Sequence, residues 1–220
     1  MVDVDAQIAA VSRAYRTESD DGEEMHVQSV AQEYASGIDD VWDAVTSSER
    51  IPRWFLPITG QLRVGGRYQL EGNAGGEVLE CDPPVDGRGR YRATWEYGGG
   101  VSWIVVELED IGEGATRVEL THFARTADIP DTMWDQFGPG ATGVGWDGGL
   151  LGLAVHLRGD GTLSPVNVKD WAATDDGKRF YRGAADGWAQ AHAASGVEHG
   201  KARRAADATY AFYTGADAAS

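Results

Sequence analysis

Between Tyr34 and Phe123 the chain reads as one amphipathic helix followed by strand-like segments at 66–71, 76–81, 89–97, 101–109 and 115–123. Their separators are turn residues: Asn73-Ala74-Gly75, Pro83-Pro84 with Asp86-Gly87, Gly98-Gly99-Gly100 and Gly112-Glu113-Gly114. Connections this short leave no room for parallel crossovers, so the segments pair as an antiparallel meander. Around Tyr91, Ala93 and Trp95 the alternate residues Arg92, Thr94 and Glu96 are polar, and Val118, Leu120 and His122 stand against Arg117, Glu119 and Thr121 in the same way. One face of such a sheet is buried and the other meets water. The stretch 101–108 is apolar on both faces, with Trp103 and Val105 opposite Ile104 and Val106, so part of the outer face needs a cover. The chain's own extension or the second subunit of a homodimer would supply it.

Upstream, Val4, Ile8, Val11 and Tyr15 fall at helical spacing and predict a short N-terminal helix. The acidic run from Glu18 to Glu24 follows as a solvated linker, and 25–34 reads as a strand, which brings the sheet to about six strands. Ser36 with Asp39 resembles a capping box opening a helix whose inner face is Ile38, Val41, Trp42 and Val45. Pro52 permits a short helix over 48–55. After a loop with Ile129-Pro130 and Gly138-Pro139, Trp146, Leu150, Leu153 and Leu157 mark a helix that ends near Gly159. Gly143, Gly145, Gly148, Gly149 and Gly152 weaken that helix unless its backbone closely approaches a sheet or a bound molecule. Two Ala-rich helices, 178–195 and 199–214, meet at Gly196 as a helical hairpin.

Charge and motifs exclude several classes. The formal net charge of −16 over 220 residues repels nucleic acid and anionic membrane surfaces. No apolar run has membrane-spanning length, the start Met1-Val2-Asp3-Val4-Asp5 has no signal-peptide pattern, and Cys81 is the single cysteine. The chain therefore reads as a cytoplasmic protein without membrane insertion. Gly143-Val144-Gly145-Trp146-Asp147-Gly148 spells a dinucleotide fingerprint, but a loop with Pro139 precedes it where a strand is required, so helix packing is the better account. The histidines at 26, 122, 156, 192 and 199 are scattered, which argues against a metal site, and no nucleophile elbow occurs. No cofactor is called for.

The residues Val41-Trp42-Asp43-Ala44-Val45-Thr46, Ile51-Pro52-Arg53-Trp54-Phe55, Val64-Gly65-Gly66-Arg67-Tyr68, Pro83-Pro84, Thr94-Trp95-Glu96 and Leu120-Thr121-His122 resemble, in order, the motifs of the SRPBCC (START-like, helix-grip) superfamily. They are most similar to its AHSA-type branch, named after the activator of the heat-shock-chaperone ATPase. The resemblance covers about 25–158. It implies an α+β helix-grip fold: a curved antiparallel sheet around a long C-terminal helix, with a cavity between. The division that follows is an N-terminal helix and acidic linker at 1–22, a helix-grip domain at 23–160 and a C-terminal helical extension at 161–220. The extension resembles one seen in some bacterial relatives. Superfamily members include lipid carriers, hormone receptors and aromatic polyketide cyclases.

Within that frame His122 is the one candidate for chemistry. It points inward beside Leu120, where desolvation lowers its pKa and leaves a neutral imidazole. The plainer account is a core histidine bonded to a neighbour, since acid–base work needs a second positioned group. Glu80 is that group if its strand turns it inward, and the sequence leaves its parity open. Trp54, Tyr91, Trp95, Leu120, His122, Trp146 and Leu150 are the candidate ligand-binding residues, with aromatic N–H and O–H groups to orient a guest. The reading is a protein that binds a small hydrophobic or aromatic molecule in an internal cavity. Its alternatives are a cyclase or aromatase-like enzyme using His122, and a module that contacts a chaperone or regulator.

Overall fold

The computed structural model describes residues 3–159 and 168–216. In chain order these form α1 (Val4–Ala10), β1 (Ser12–Asp20), β2 (Glu23–Tyr34), α2 (Ile38–Thr46), a 3-10 turn (Ile51–Arg53), β3 (Ile58–Gly60), β4 (Arg67–Leu70), β5 (Gly75–Val85), β6 (Arg88–Tyr97), β7 (Gly100–Gly112) and β8 (Ala115–Arg125). A second 3-10 turn (Thr126–Asp128), α3 (Asp131–Phe137), α4 (Gly140–Arg158), α5 (Val168–Ala172), α6 (Asp175–Ala194) and α7 (His199–Thr214) complete the order. The eight strands hydrogen-bond in the sequence β1-β2-β8-β7-β6-β5-β4-β3. Two compact units result, Met1–Val30 with Arg125–Gly148 and Val166–Ser220, and Ala31–Ala124 with Gly149–Pro165, so β2 and α4 each contribute to both. The boundary expected between 160 and 161 lies outside the described residues.

The first unit corrects the reading of the N-terminus. The helix stops at Ala10, Val11 is its extended C-cap, and Tyr15 lies in β1. The acidic run is no linker: β1 continues to Asp20, and β2 begins at Glu23. Asp21 and Gly22 sit between them at φ 48 and 84, the left-handed pair that a two-residue hairpin requires. Hairpin chemistry thus outweighed the four-residue spacing. The helical hairpin of α6 and α7 forms as expected. Phe180, Tyr181, Ala184 and Trp188 are buried on α6, and Ala202, Ala205 and Thr209 on α7. Thr174 caps α6 by accepting from the Gly177 N–H, and Glu198 caps α7 by accepting from those of Gly200 and Lys201.

The second unit is the helix-grip sheet, with eight strands in the whole chain where about six were expected, because β1 and the three-residue β3 join it. Neighbouring strands from β3 to β8 all pair antiparallel, with register shifts in β5 and at the end of β7. Pro83 and Pro84 fall inside β5, at a register shift between Asp82 and Val85, where a residue without an N–H is tolerated. The turn itself moves to Asp86 and Gly87, at φ 51 and 77. The expected capping box at α2 does not form. Gly37 is the N-cap, and the Ser36 hydroxyl donates to Asp40, 2.5 Å away. Val41, Ala44 and Val45 are buried beneath α2, which packs on β5 and β7. The C-terminal half of α4 supplies Leu150, Leu151, Leu153, Ala154 and Val155, all buried. The Tyr34 hydroxyl donates to the Leu150 carbonyl at 3.2 Å, and the Trp54 indole N–H to the Ala44 carbonyl at 2.9 Å. Val105, on the outer face, is buried by the chain itself, whereas Val101 stays exposed.

Candidate ligand-binding face

Cross-strand partners share a face, so the registers sort the side chains of the sheet. Gly89 pairs with Leu108 and that with Val118; Tyr91 with Val106 and that with Leu120; Ala93 with Ile104 and that with His122; Trp95 pairs with Ser102. On β5, Val78 pairs with Ala93 and Cys81 with Tyr91. This is the inner face, because the Trp42 ring of α2 lies against it: a Cβ on Gly89 would sit 3.0 Å from that ring. None of these residues carries a formal charge. The opposite face carries Arg90 paired with Glu107 and Glu119, and Arg88 with Glu109 and Arg117.

Glu80 goes to the charged face. A register shift between Val78 and Glu80 reverses the parity, Glu80 pairs with Arg92, and its carboxylate forms ion pairs with Arg90 and, at 3.7 Å, Arg92. The second acid–base group that the sequence offered for His122 therefore points away from it. What His122 has is Ser102. Its Nε2 lies 2.8 Å from the Ser102 hydroxyl, which itself donates to the Trp95 carbonyl at 3.0 Å. The serine has one hydrogen and spends it on that carbonyl, so Nε2 carries the proton and donates. His122 is 5% exposed, and burial moves its pKa down to about 4, which leaves it neutral at pH 7.

The structure collects Tyr91, Trp95, Leu120 and His122 on one face. Tyr91, Trp95 and Leu120 keep part of their surface accessible, although Ile104, Val106, Leu108 and Val118 beside them are sealed. The Tyr91 ring meets Trp42 edge-on at 6.3 Å, and burial pushes its phenol well above the ordinary tyrosine range. Its hydroxyl has no hydrogen-bond partner among the described residues and is not among the sealed polar atoms. Trp54 lies just past the 3-10 turn, with its ring 5.5 Å from that of Phe55. Leu150 is buried in α4, and Trp146 is buried in the first unit.

Sequence reasoning missed two clusters in the first unit. Asp147 is wholly buried, and Arg13 of β1 holds its carboxylate through Nε at 2.9 Å and Nη2 at 2.5 Å, while the Trp188 indole donates at 2.8 Å. Burial pushes the Asp147 carboxyl up, against the pull of Arg13. The signal was available: one acid between Val144, Trp146, Leu150 and Leu151 on an otherwise apolar helix. The second is an aromatic box. His26 stacks on Trp134 at 3.6 Å, Tyr15 donates to or accepts from His26 Nδ1 at 2.8 Å, and His192 meets Tyr15 and Trp134 edge-on. His192 is 2% exposed, its Nδ1 has no partner, and burial takes its pKa to about 4. These residues are far apart in sequence, so no spacing announces the box.

An open groove of about 630 Å³ also lies between the segment 46–49 and Gln61, Leu62 and Arg63, and contains none of the nominated residues. Its hydroxyls and charges suit water more than an apolar guest. The dinucleotide-like glycines lie inside α4, so no phosphate loop forms. A Cβ on Gly143 would meet the Trp188 ring at 2.2 Å, and one on Gly152 the Trp54 carbonyl at 2.2 Å, which is the close approach those glycines imply. Among the described residues no helix is long and apolar enough to cross a membrane, and no cluster of three His, Cys, Asp or Glu could hold a metal ion.

Comparison with known proteins agrees with the fold. No curated protein matches the chain. The crystal structure of CalU16 from Micromonospora echinospora is 32% identical, with 69% of this chain and 88% of that one aligned at a TM-score of 0.55. Its solution structure aligns over 84% of this chain and 97% of that one, at 29% identity and a TM-score of 0.66. A conserved protein of unknown function from Enterococcus faecalis, 13% identical, shares the fold at a TM-score of 0.50 over 69% of this chain and 79% of that one. The family model described as Activator of Hsp90 ATPase homolog 1-like protein matches residues 35–157, more than half of the chain. With the sheet, α2 and α4 arranged as above, the chain belongs to that family, an AHSA-type member of the SRPBCC superfamily.

Proposed function

We propose that this protein binds a small hydrophobic or aromatic molecule on the inner face of the second unit. The observation that carries the reading is the contrast within that face: Tyr91, Trp95 and Leu120 keep accessible surface while their strand neighbours are sealed. Apolar surface left uncovered on the concave side of a sheet costs about 25 cal/mol per Å² until a guest removes it from water. Aromatic walls with a few polar groups are the usual lining of such a site. A catalytic role for His122 has weaker support, because its Nε2–H is committed to Ser102 and Glu80 faces the other way.

A Trp-fluorescence and thermal-shift screen of the full chain against lipids, flavonoids and polyketides tests the binding reading. Saturable quenching with a raised melting temperature is the expected result, and no response from any class sinks it. His122→Ala then separates a carrier from a cyclase. A carrier shifts its affinity, whereas an enzyme loses turnover of a bound polyketide altogether.

A further inference from the structure

We infer that the guest of this inner face is a neutral aromatic molecule bearing a hydrogen-bond acceptor, such as a ring carbonyl, and that the Tyr91 hydroxyl receives it. The inference rests on the binding reading above and adds what the face selects. Thirteen inward positions on β5 to β8, from Val78, Cys81 and Gly89 through to His122, carry no Lys, Arg, Asp or Glu; the acid in phase with them, Asp110, is exposed beyond Leu108 at the end of β7. Apart from that exposed Asp110, the charges of these strands stand on the other side, in ion pairs such as Arg90 with Glu80 and Arg88 with Glu109. A carboxylate or ammonium on the guest would lose water and find no counter-charge, a cost far larger than one hydrogen bond returns.

The donors of the face narrow the choice further. Ser102 gives its hydrogen to the Trp95 carbonyl, and His122 gives its Nε2–H to Ser102. The Tyr68 hydroxyl donates to the Thr94 carbonyl at 2.6 Å, and the Trp54 indole to Ala44. The Tyr91 hydroxyl does neither, and it is accessible. Buried tyrosine hydroxyls ordinarily have a partner. Here the partner position is open to a guest, next to the edge-on Trp42 ring. Burial also holds the Tyr91 phenol protonated, so that it donates to an acceptor and does not attract a cation.

Three matched probes test this on the full chain by tryptophan quenching: fluorene, 9-fluorenone and 9-fluorenone-2-carboxylate. The ketone is expected to bind about tenfold tighter than the hydrocarbon, the size of one unopposed hydrogen bond. The carboxylate is expected to bind at least about tenfold more weakly than the ketone. Tyr91→Phe should collapse the ketone-to-hydrocarbon ratio to about one. That ratio is read on a single variant, so a folding defect cannot imitate it. Equal affinity for carboxylate and ketone, or an unchanged ratio in Tyr91→Phe, overturns the inference while leaving the binding reading intact. Binding of none of the three overturns the inference, and the screen against lipids, flavonoids and polyketides then decides whether the binding reading falls with it.

Discussion

The two units bury polar chemistry in opposite ways. The first seals it: Asp147, Arg13 and Trp188 form a closed ion-pair cluster, and His192 sits in an aromatic box with its Nδ1 unanswered. The second keeps charge off its inner face between Val78 and His122, with Asp110 exposed beyond the end of it, and leaves the Tyr91 hydroxyl and the rims of Trp95 and Leu120 open. Both units hold a histidine neutral by burial, at about 4 in each case. Desolvation alone therefore does not distinguish a packed interior from a binding face. What distinguishes them is whether any surface remains for a guest: His192 is sealed although its Nδ1 is unanswered, whereas Tyr91, Trp95 and Leu120 stay partly accessible.

The sharpest way to break this comparison is to open the sealed cluster. Arg13→Met leaves Asp147 buried without its counter-charge, and should cost about 3–5 kcal/mol in urea denaturation. Adding Asp147→Leu should restore most of the loss, because the desolvated acid is then gone. A single variant within about 1 kcal/mol of the parent would show that the pair is not sealed.

Acid probes both histidines. A folded pKa of about 4 lies below the unfolded value near 6.5, so the unfolded chain binds protons first as the pH falls. Their neutral burial is without penalty above about pH 6.5 and is opposed progressively from there down to about pH 4, by roughly 3 kcal/mol for each residue. His192→Phe should flatten that part of the stability profile, leaving His122 and the lowered pKa values of His26 and His156 to carry the remaining slope. An unchanged slope between pH 6.5 and 4 would place the titration elsewhere.

Two glycines of α4 give the smallest effects, with opposite signs. Gly143→Ala drives a methyl into the Trp188 ring and should cost about 1–3 kcal/mol. Gly148→Ala meets no atom within 4 Å and should stabilise the helix by up to about 1 kcal/mol in thermal denaturation. Equal effects at both positions would mean that Trp188 yields more readily than a close-packed ring should.

Much of this was legible in the chain. The turn residues at Gly98-Gly99 and Gly112-Glu113-Gly114 do close hairpins, α7 begins and ends where its pattern does, and the alternation around Ala93 and His122 assigns the two faces of β6 and β8. Local preferences and side-chain period set these features, and both act within a few residues. Glu80 was not readable, because a bulge changes parity without leaving a mark in composition. Nor was β1, whose Val11 and Tyr15 continue the helical spacing by coincidence until Asp21-Gly22 turns the chain back.

By itself the amino-acid order determined an antiparallel sheet with an uncharged side and a charged side, a long glycine-bearing helix, and a helical hairpin after it. Only the folded molecule decided that Asp147 would meet Arg13, 134 residues away, and that His122 would bond Ser102 and not a carboxylate. Periodicity is a property of neighbours along the backbone, so it survives in the bare sequence. A partner for a buried polar group is chosen by whichever segments pack together, and that choice exists only once the chain has closed on itself.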